Sequence, residues 1–156
     1  MRARLDGQRI ALFESRLAAE LSELVRRTGG VPVCVPAVVE HRRPCASEVA
    51  ALLGELSGAD PALFVFSTGV GARALFDEAR AQGRAQELVE AVSRGEAVCR
   101  GPKAVAALYR EGLLRCRKAL DPYTTAELIE ALAGVDVRGR TVVLVHHGER
   151  NEPSSM

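Results

Sequence analysis

One stretch constrains this chain more than any other. Leu63-Phe64-Val65-Phe66 is followed at once by Ser67-Thr68-Gly69-Val70-Gly71-Ala72-Arg73-Ala74-Leu75-Phe76. A short, continuous apolar run reads as a strand buried on both faces, and the small glycine-bearing turn after it leads straight into helical periodicity. A buried parallel strand feeding a helix cannot close alone, because it needs neighbouring strands and covering helices. At such a helix start, unpaired N–H groups and the positive dipole end face the crevice at the carboxyl ends of the strands. That is where open α/β sheets bind ligands. The same layout recurs at Val98-Cys99-Arg100-Gly101-Pro102-Lys103 and at Val143-Leu144-Val145-His146-His147-Gly148. Three such loops point to a ligand with several anionic groups.

The rest of the chain keeps the alternation. Arg9 to Phe13 reads as a first strand, and Ser15 as the cap of a helix aligning Leu17, Leu21, Leu24 and Val25 on one face. Gly29-Gly30 ends that helix. Val31, Val33 and Val35 alternate with Pro32, Cys34 and Pro36, which makes an edge or exit strand, since proline cannot donate to a ladder. Residues 36–44 read as an extended connector. Ser47 is expected to cap a second helix carrying Leu52, Leu53 and Leu56, stopped by Gly58. After the central strand come a helix from about Gly71 to Gln82 and another from Ala85 to Ser93. A strand from Ala97 to Arg100 follows, with Pro102 at the first position of a helix ending at Gly112. Leu113 to Leu120 holds a weak strand. Thr124-Thr125-Ala126-Glu127 is a capping box opening a helix with Leu128, Ile129 and Leu132, closed by Gly134. Thr141 to His146 is the last strand. The pattern is that of an α/β chain with a largely parallel, doubly wound sheet. No helix follows the last strand to cover it, so the chain reads as cut short or as borrowing cover from a partner.

Composition excludes several function classes. Of 156 residues, 47% are hydrophobic and 26% charged, and the net charge is +1. Nothing there supports bulk electrostatic binding of nucleic acid or of a membrane surface. The Arg26-Arg27 and Arg42-Arg43 pairs and the Arg115-Cys116-Arg117-Lys118 run read as solvated faces. Aromatic residues are 4% and Trp is absent, which argues against a base-stacking platform. No signal-like segment opens the chain and no run approaches the ~18 apolar residues of a membrane span, so a cytoplasmic protein is expected. Cys34, Cys45, Cys99 and Cys116 show no CxxC spacing. Cys34 and Cys99 lie in apolar runs and read as small core residues. His146 and His147 are adjacent on a strand and point to opposite faces, which argues against a shared metal.

Gly69-Val70-Gly71-Ala72-Arg73-Ala74 also fits the G-x-G-x-x-A fingerprint of a dinucleotide-binding module. The acidic residue that should end the next strand about 20 residues on is missing, because that strand ends at Arg100.

Several segments together resemble bacterial uroporphyrinogen-III synthase. They are Arg9-Ile10-Ala11-Leu12-Phe13-Glu14-Ser15-Arg16, Val33-Cys34-Val35-Pro36-Ala37, Phe66 to Leu75, Arg100-Gly101-Pro102-Lys103 to Leu108, Thr124-Thr125-Ala126-Glu127-Leu128 and His147-Gly148-Glu149. The resemblance implies two flavodoxin-like domains joined by a two-strand connector. Residues 1–35 would start the first domain, 36–44 would be the connector, 45–150 most of the second domain and 151–156 a tail. It implies closure of the linear tetrapyrrole hydroxymethylbilane to uroporphyrinogen III, with loss of water and inversion of the last ring, using no metal or organic cofactor. The residues it places on the substrate are Ser15, Arg16, Ser67, Thr68, Gly69, Gly101, Pro102, Thr124, Thr125, His147 and Gly148. No catalytic acid stands out. Ala104 and Val105 stand where many relatives carry a threonine, and a tyrosine that the family carries near the return crossing would lie beyond Met156. The resemblance leaves uncovered strands that invite self-association. It also leaves a non-catalytic remnant as an alternative.

Overall fold

Leu63–Phe66 forms a strand with all four residues buried, and it organises the larger part of the molecule. The computed structural model describes residues 4–38, 44–58 and 60–146. The chain falls into two compact units dividing between Pro44 and Cys45. Their sheets share no strand.

The first unit holds β1 (Arg9–Leu12), α1 (Ala18–Arg27) and β2 (Val31–Cys34). β1 and β2 pair in parallel, from Arg9 opposite Val31 to Leu12 opposite Cys34. The helix starts later than its sequence suggests, and Ser15 does not cap it. Leu17 occupies the cap position without a side-chain bond, while the Glu14 carboxylate accepts the Arg16 N–H at 2.9 Å. Val25 and Ser22 point inward, whereas Leu17 and Leu24 are more than half exposed. The inward stripe is therefore rotated from the expected leucine face. Cys34 is exposed rather than a core residue, and its Sγ lies 3.2 Å from the Ser22 hydroxyl. The connector residues 39–43 lie outside the described residues.

The second unit holds α2 (Ala46–Leu56), β3 (Leu63–Phe66), α3 (Gly69–Ala81), α4 (Ala85–Arg94), β4 (Glu96–Cys99), α5 (Pro102–Arg110), β5 (Arg117–Lys118), α6 (Thr125–Leu132) and β6 (Val142–Val145). Its sheet runs β5-β4-β3-β6, and every pairing is parallel. The fold is thus α/β with parallel sheets, as expected. Cys45, not Ser47, occupies the α2 cap position, and the Ser47 hydroxyl is spent on Glu48 at 2.8 Å. The weak strand expected over Leu113 to Leu120 contracts to the two residues of β5.

Alternation splits the sheet into two apolar faces. Phe64, Phe66, Ala97, Cys99, Val143 and Val145 join Val49, Leu53, Phe76, Leu88 and Leu108 from the helices in one core. Leu63, Val65 and Val98 face the other way, onto Leu128 of α6. Phe66 lies between Phe64 and Phe76, with ring centroids 6.2 and 6.5 Å away. Each such buried ring contributes about 1.5–3 kcal/mol of hydrophobic stabilisation. Cys99 is buried here, and desolvation together with neighbouring Cys116 pushes its thiol far above the usual range, which suits an inert core thiol.

The second face is thinly covered. α6 is eight residues long and buries Leu128, while Ile129, expected to face inward, is 63% exposed. On β6, Val143 and Val145 are buried, but Val142 and Leu144 are 49% and 62% exposed. Among the described residues no helix is long and apolar enough to cross a membrane.

Candidate functional site

The carboxyl ends of β3, β4, β5 and β6 converge through named contacts. The Ser67 N–H donates to the Val145 carbonyl at 3.2 Å, the Arg100 N–H to Phe66 at 3.0 Å and the Ala119 N–H to Cys99 at 2.9 Å. The loops that leave these strands therefore share one edge of the sheet, and most of the expected site residues lie on it.

Thr68 is the N-cap of α3, with its Oγ1 accepting the Gly71 N–H at 3.0 Å. The helix begins at Gly69, two residues earlier than expected, because Thr68 supplies the cap that a glycine cannot. Gly69 is buried, and a Cβ there would overlap the Lys103 carbonyl oxygen. Its bare backbone brings the starts of α3 and α5 together. That contact accounts for the first glycine of the G-x-G-x-x-A pattern without a diphosphate.

Gly101 is the N-cap of α5 and offers no side chain to close the helix start, and Pro102 follows as its first residue. Among the described residues, the N–H groups of Gly69, Val70, Gly101 and Lys103 meet no hydrogen-bond acceptor. Neither α3 nor α5 carries an acidic residue in its first turn. The start of α5 therefore has no side-chain cap, and that of α3, although Thr68 takes its Gly71 N–H, carries no acid; both are open to an anion in that sense, with positive dipole ends at the same edge.

Thr124 and Thr125 are different. Thr124 caps α6 in a full capping box, and Thr125 is the first residue of that helix. The Glu127 carboxylate accepts the Thr124 N–H at 2.7 Å and also accepts a short hydrogen bond from the Thr124 hydroxyl. The Thr124 hydroxyl and backbone hold the Glu127 carboxyl below the usual carboxylate range. This helix start already carries an anion, and the Thr124 hydroxyl takes up its Ala126 N–H at 3.2 Å. The structure brings Thr124 to the edge as a closed cap, unlike the open starts of α3 and α5.

Ser15 and Arg16 belong to the first unit, in the turn between β1 and α1. His147 and Gly148 lie outside the described residues. The neighbouring His146 is exposed, and its carbonyl oxygen would lie 3.5 Å from a Cβ on Gly71. Two concavities, of about 240 Å³ beside Ser57 and Glu87 and about 390 Å³ beside Val135 and Arg138, touch none of these residues. We favour the sheet edge over both because the donors and dipole ends of α3 and α5 meet there.

Sequence reasoning missed Tyr123 and Lys118. Tyr123 has a left-handed backbone (φ 62°), and its Cβ and Cγ would lie 3.4 and 3.5 Å from a Cβ on Gly101. Lys118 Nζ sits 5.3 Å from the centroid of its ring. Nothing in the local sequence signals this, because the Arg115 to Lys118 run looks like any solvated charge cluster.

Comparison with known proteins bears on the fold and the family. The uncharacterized protein YjjA of Bacillus subtilis (strain 168) is 31% identical over 149 residues, covering 94% of this chain and 53% of that protein. The chain thus spans about half the length of this curated relative. A crystal structure of wild-type uroporphyrinogen III synthase from the extremely thermophilic bacterium Thermus thermophilus superposes with a TM-score of 0.54 at 25% identity, covering 92% of this chain and 53% of that one. A mutant form of the same enzyme gives a TM-score of 0.56 at 22% identity, covering 88% and 60%. The family model for uroporphyrinogen-III synthase HemD matches residues 19–154, and the chain belongs to that family.

Proposed function

We propose that this chain acts in tetrapyrrole biosynthesis as a uroporphyrinogen-III synthase, closing hydroxymethylbilane to uroporphyrinogen III with loss of water and inversion of the last pyrrole ring. The observation that carries the reading is the pair of open helix starts, α3 and α5, meeting at the carboxyl edge of the sheet in a member of this family. The substrate bears eight carboxylates on its acetate and propionate arms. Backbone N–H donors at helix starts hold such groups without a large net charge, which suits a chain at +1.

Each dipole contact contributes only about 0.3–1 kcal/mol on an exposed surface, so several must act together. Orientation is most of what the reaction needs. Water leaves to give a reactive azafulvene-like cation, and the last ring must be attacked at its substituted carbon through a spiro intermediate. Fixing the arms sets which carbon lies in reach. The substrate contacts we assign are Ser67, Thr68, Gly69, Gly101 and Pro102 on this edge, with Ser15 and Arg16 from the first unit and His147 and Gly148 after β6. Thr124 and Thr125 come second, since Glu127 already fills their cap. The reading includes the two-domain arrangement, with 1–35 starting one flavodoxin-like domain, 36–44 crossing over and 45–150 forming most of the other. The division between Pro44 and Cys45 supports it. No step is assigned to a metal or organic cofactor.

The test is direct. The purified chain is mixed with freshly generated hydroxymethylbilane, the products are oxidised, and the type I and type III porphyrin isomers are separated. Excess type III over the protein-free control is the expected result. Type I alone, at the control rate, rejects catalysis by this chain.

A further inference from the structure

Lys118 closes β5 with an exposed side chain, and its ammonium lies over the Tyr123 ring at 5.3 Å. Among the described residues it has no carboxylate partner, and neither do Arg100 and Lys103 in the adjacent loop. At the opposite, amino end of the same sheet the cations have carboxylate partners, Arg140 in Glu96 at 2.9 Å and Arg138, on the open surface, in Asp136 at 3.4 Å. The two kinds of partner do different things. A carboxylate cancels the charge of the cation it holds. An aromatic face restrains a cation through the ring quadrupole yet leaves its full charge outward. Tyr123 reaches this place through a left-handed backbone, and Gly101, having no side chain, leaves room for the ring. Lys118 is therefore a pre-positioned, unneutralised cation beside the open start of α5.

We propose that Lys118, held over Tyr123, anchors one carboxylate arm of the linear tetrapyrrole at the β4–β5 end of the sheet edge. This rests on the tetrapyrrole reading above and adds a positioning residue to it. The ammonium binds the arm as a point charge with three donors, and the ring fixes where that charge sits.

Uroporphyrin, a stable octacarboxylate, serves as the probe in fluorescence titrations of the full chain at several salt concentrations. Lys118→Met is expected to bind it about tenfold more weakly, with a shallower salt dependence, as for loss of one hydrogen bond to a charged group. Lys118→Arg should restore most of the affinity. Tyr123→Phe should keep it and Tyr123→Leu should lose part of it, because the ring face and not the hydroxyl holds the lysine. Arg138→Met lowers the net charge by the same one unit, at the far end of the sheet and from a carboxylate-paired cation, and should change nothing. All variants are checked for an unchanged melting temperature. If the unaltered chain binds and Lys118→Met binds equally well, the anchor is wrong and the tetrapyrrole reading stands. If the unaltered chain does not bind the octacarboxylate, both fall.

Discussion

Gly69 and Gly101 look alike in sequence, each opening a helix after a buried strand, but their surroundings separate them. A Cβ on Gly69 would overlap the Lys103 backbone oxygen, and backbone cannot rotate away. Gly69→Ala should push α3 from α5 and destabilise the unit by about 1–3 kcal/mol, the usual range for overpacking. Gly101 has an extended backbone, and a Cβ there would meet Tyr123 at 3.4 Å, an ordinary contact. Gly101→Ala should shift stability by less than about 0.5 kcal/mol while lowering octacarboxylate affinity, since the new methyl stands at the open helix start. Urea unfolding of both variants, with titration of the second, checks the pair. Equal destabilisation by the two would remove the distinction. The motif marks both positions in the sequence. It does not say that one glycine serves helix packing and the other an open site, because the opposing atoms, Lys103 and Tyr123, come from other elements.

The elements that could be read were those whose signals are local. The capping box at Thr124, the proline that opens α5 at Pro102 and the buried run at Leu63 depend on neighbours within four residues, and all formed as expected, while α3 began two residues early on its Thr68 cap. Failures came where a side chain had a choice. Ser15 and Ser47 have the chemistry of caps, yet Glu14 and Glu48 compete for the local hydrogen bonds. Ile129 fits a helical stripe, but α6 is short and turns mainly Leu128 inward. The capping box also carries a pH signature. The Glu127 carboxyl has a folded pKa below its usual value, so its contribution is present above the unfolded pKa and is lost as pH falls through the folded one. The stability gap between the unaltered chain and Glu127→Gln should be widest near neutrality and should close on acidification through that interval. A gap that does not change with pH would show that the capping box gains nothing from the charge. Thr124→Ala, which removes the cap itself, should cost about 1 kcal/mol.

At the scale of the whole molecule, β6 is the element we expect to set behaviour in solution. It is an edge strand, paired to β3 on one side among the described residues, and its second face presents Val142 and Leu144 half or more exposed. Parallel strands are stable when both faces are covered, and a bare apolar edge is a template for another chain. The net charge of +1 adds almost no repulsion between copies. We therefore expect the 156-residue chain to associate reversibly with itself, with average mass rising over about two decades of concentration in sedimentation experiments. Leu144→Lys places a charge on the bare face without entering the main core, which takes in Val143 and Val145 from this strand. It should shift the population to monomer and leave the melting temperature of dilute protein unchanged. A monomer at every concentration in the unaltered chain would mean that Val142 and Leu144 are tolerated as isolated exposed residues. If Leu144→Lys left the association intact, its source would lie elsewhere, with the exposed Leu114 and Leu120 flanking β5 as the next residues to substitute.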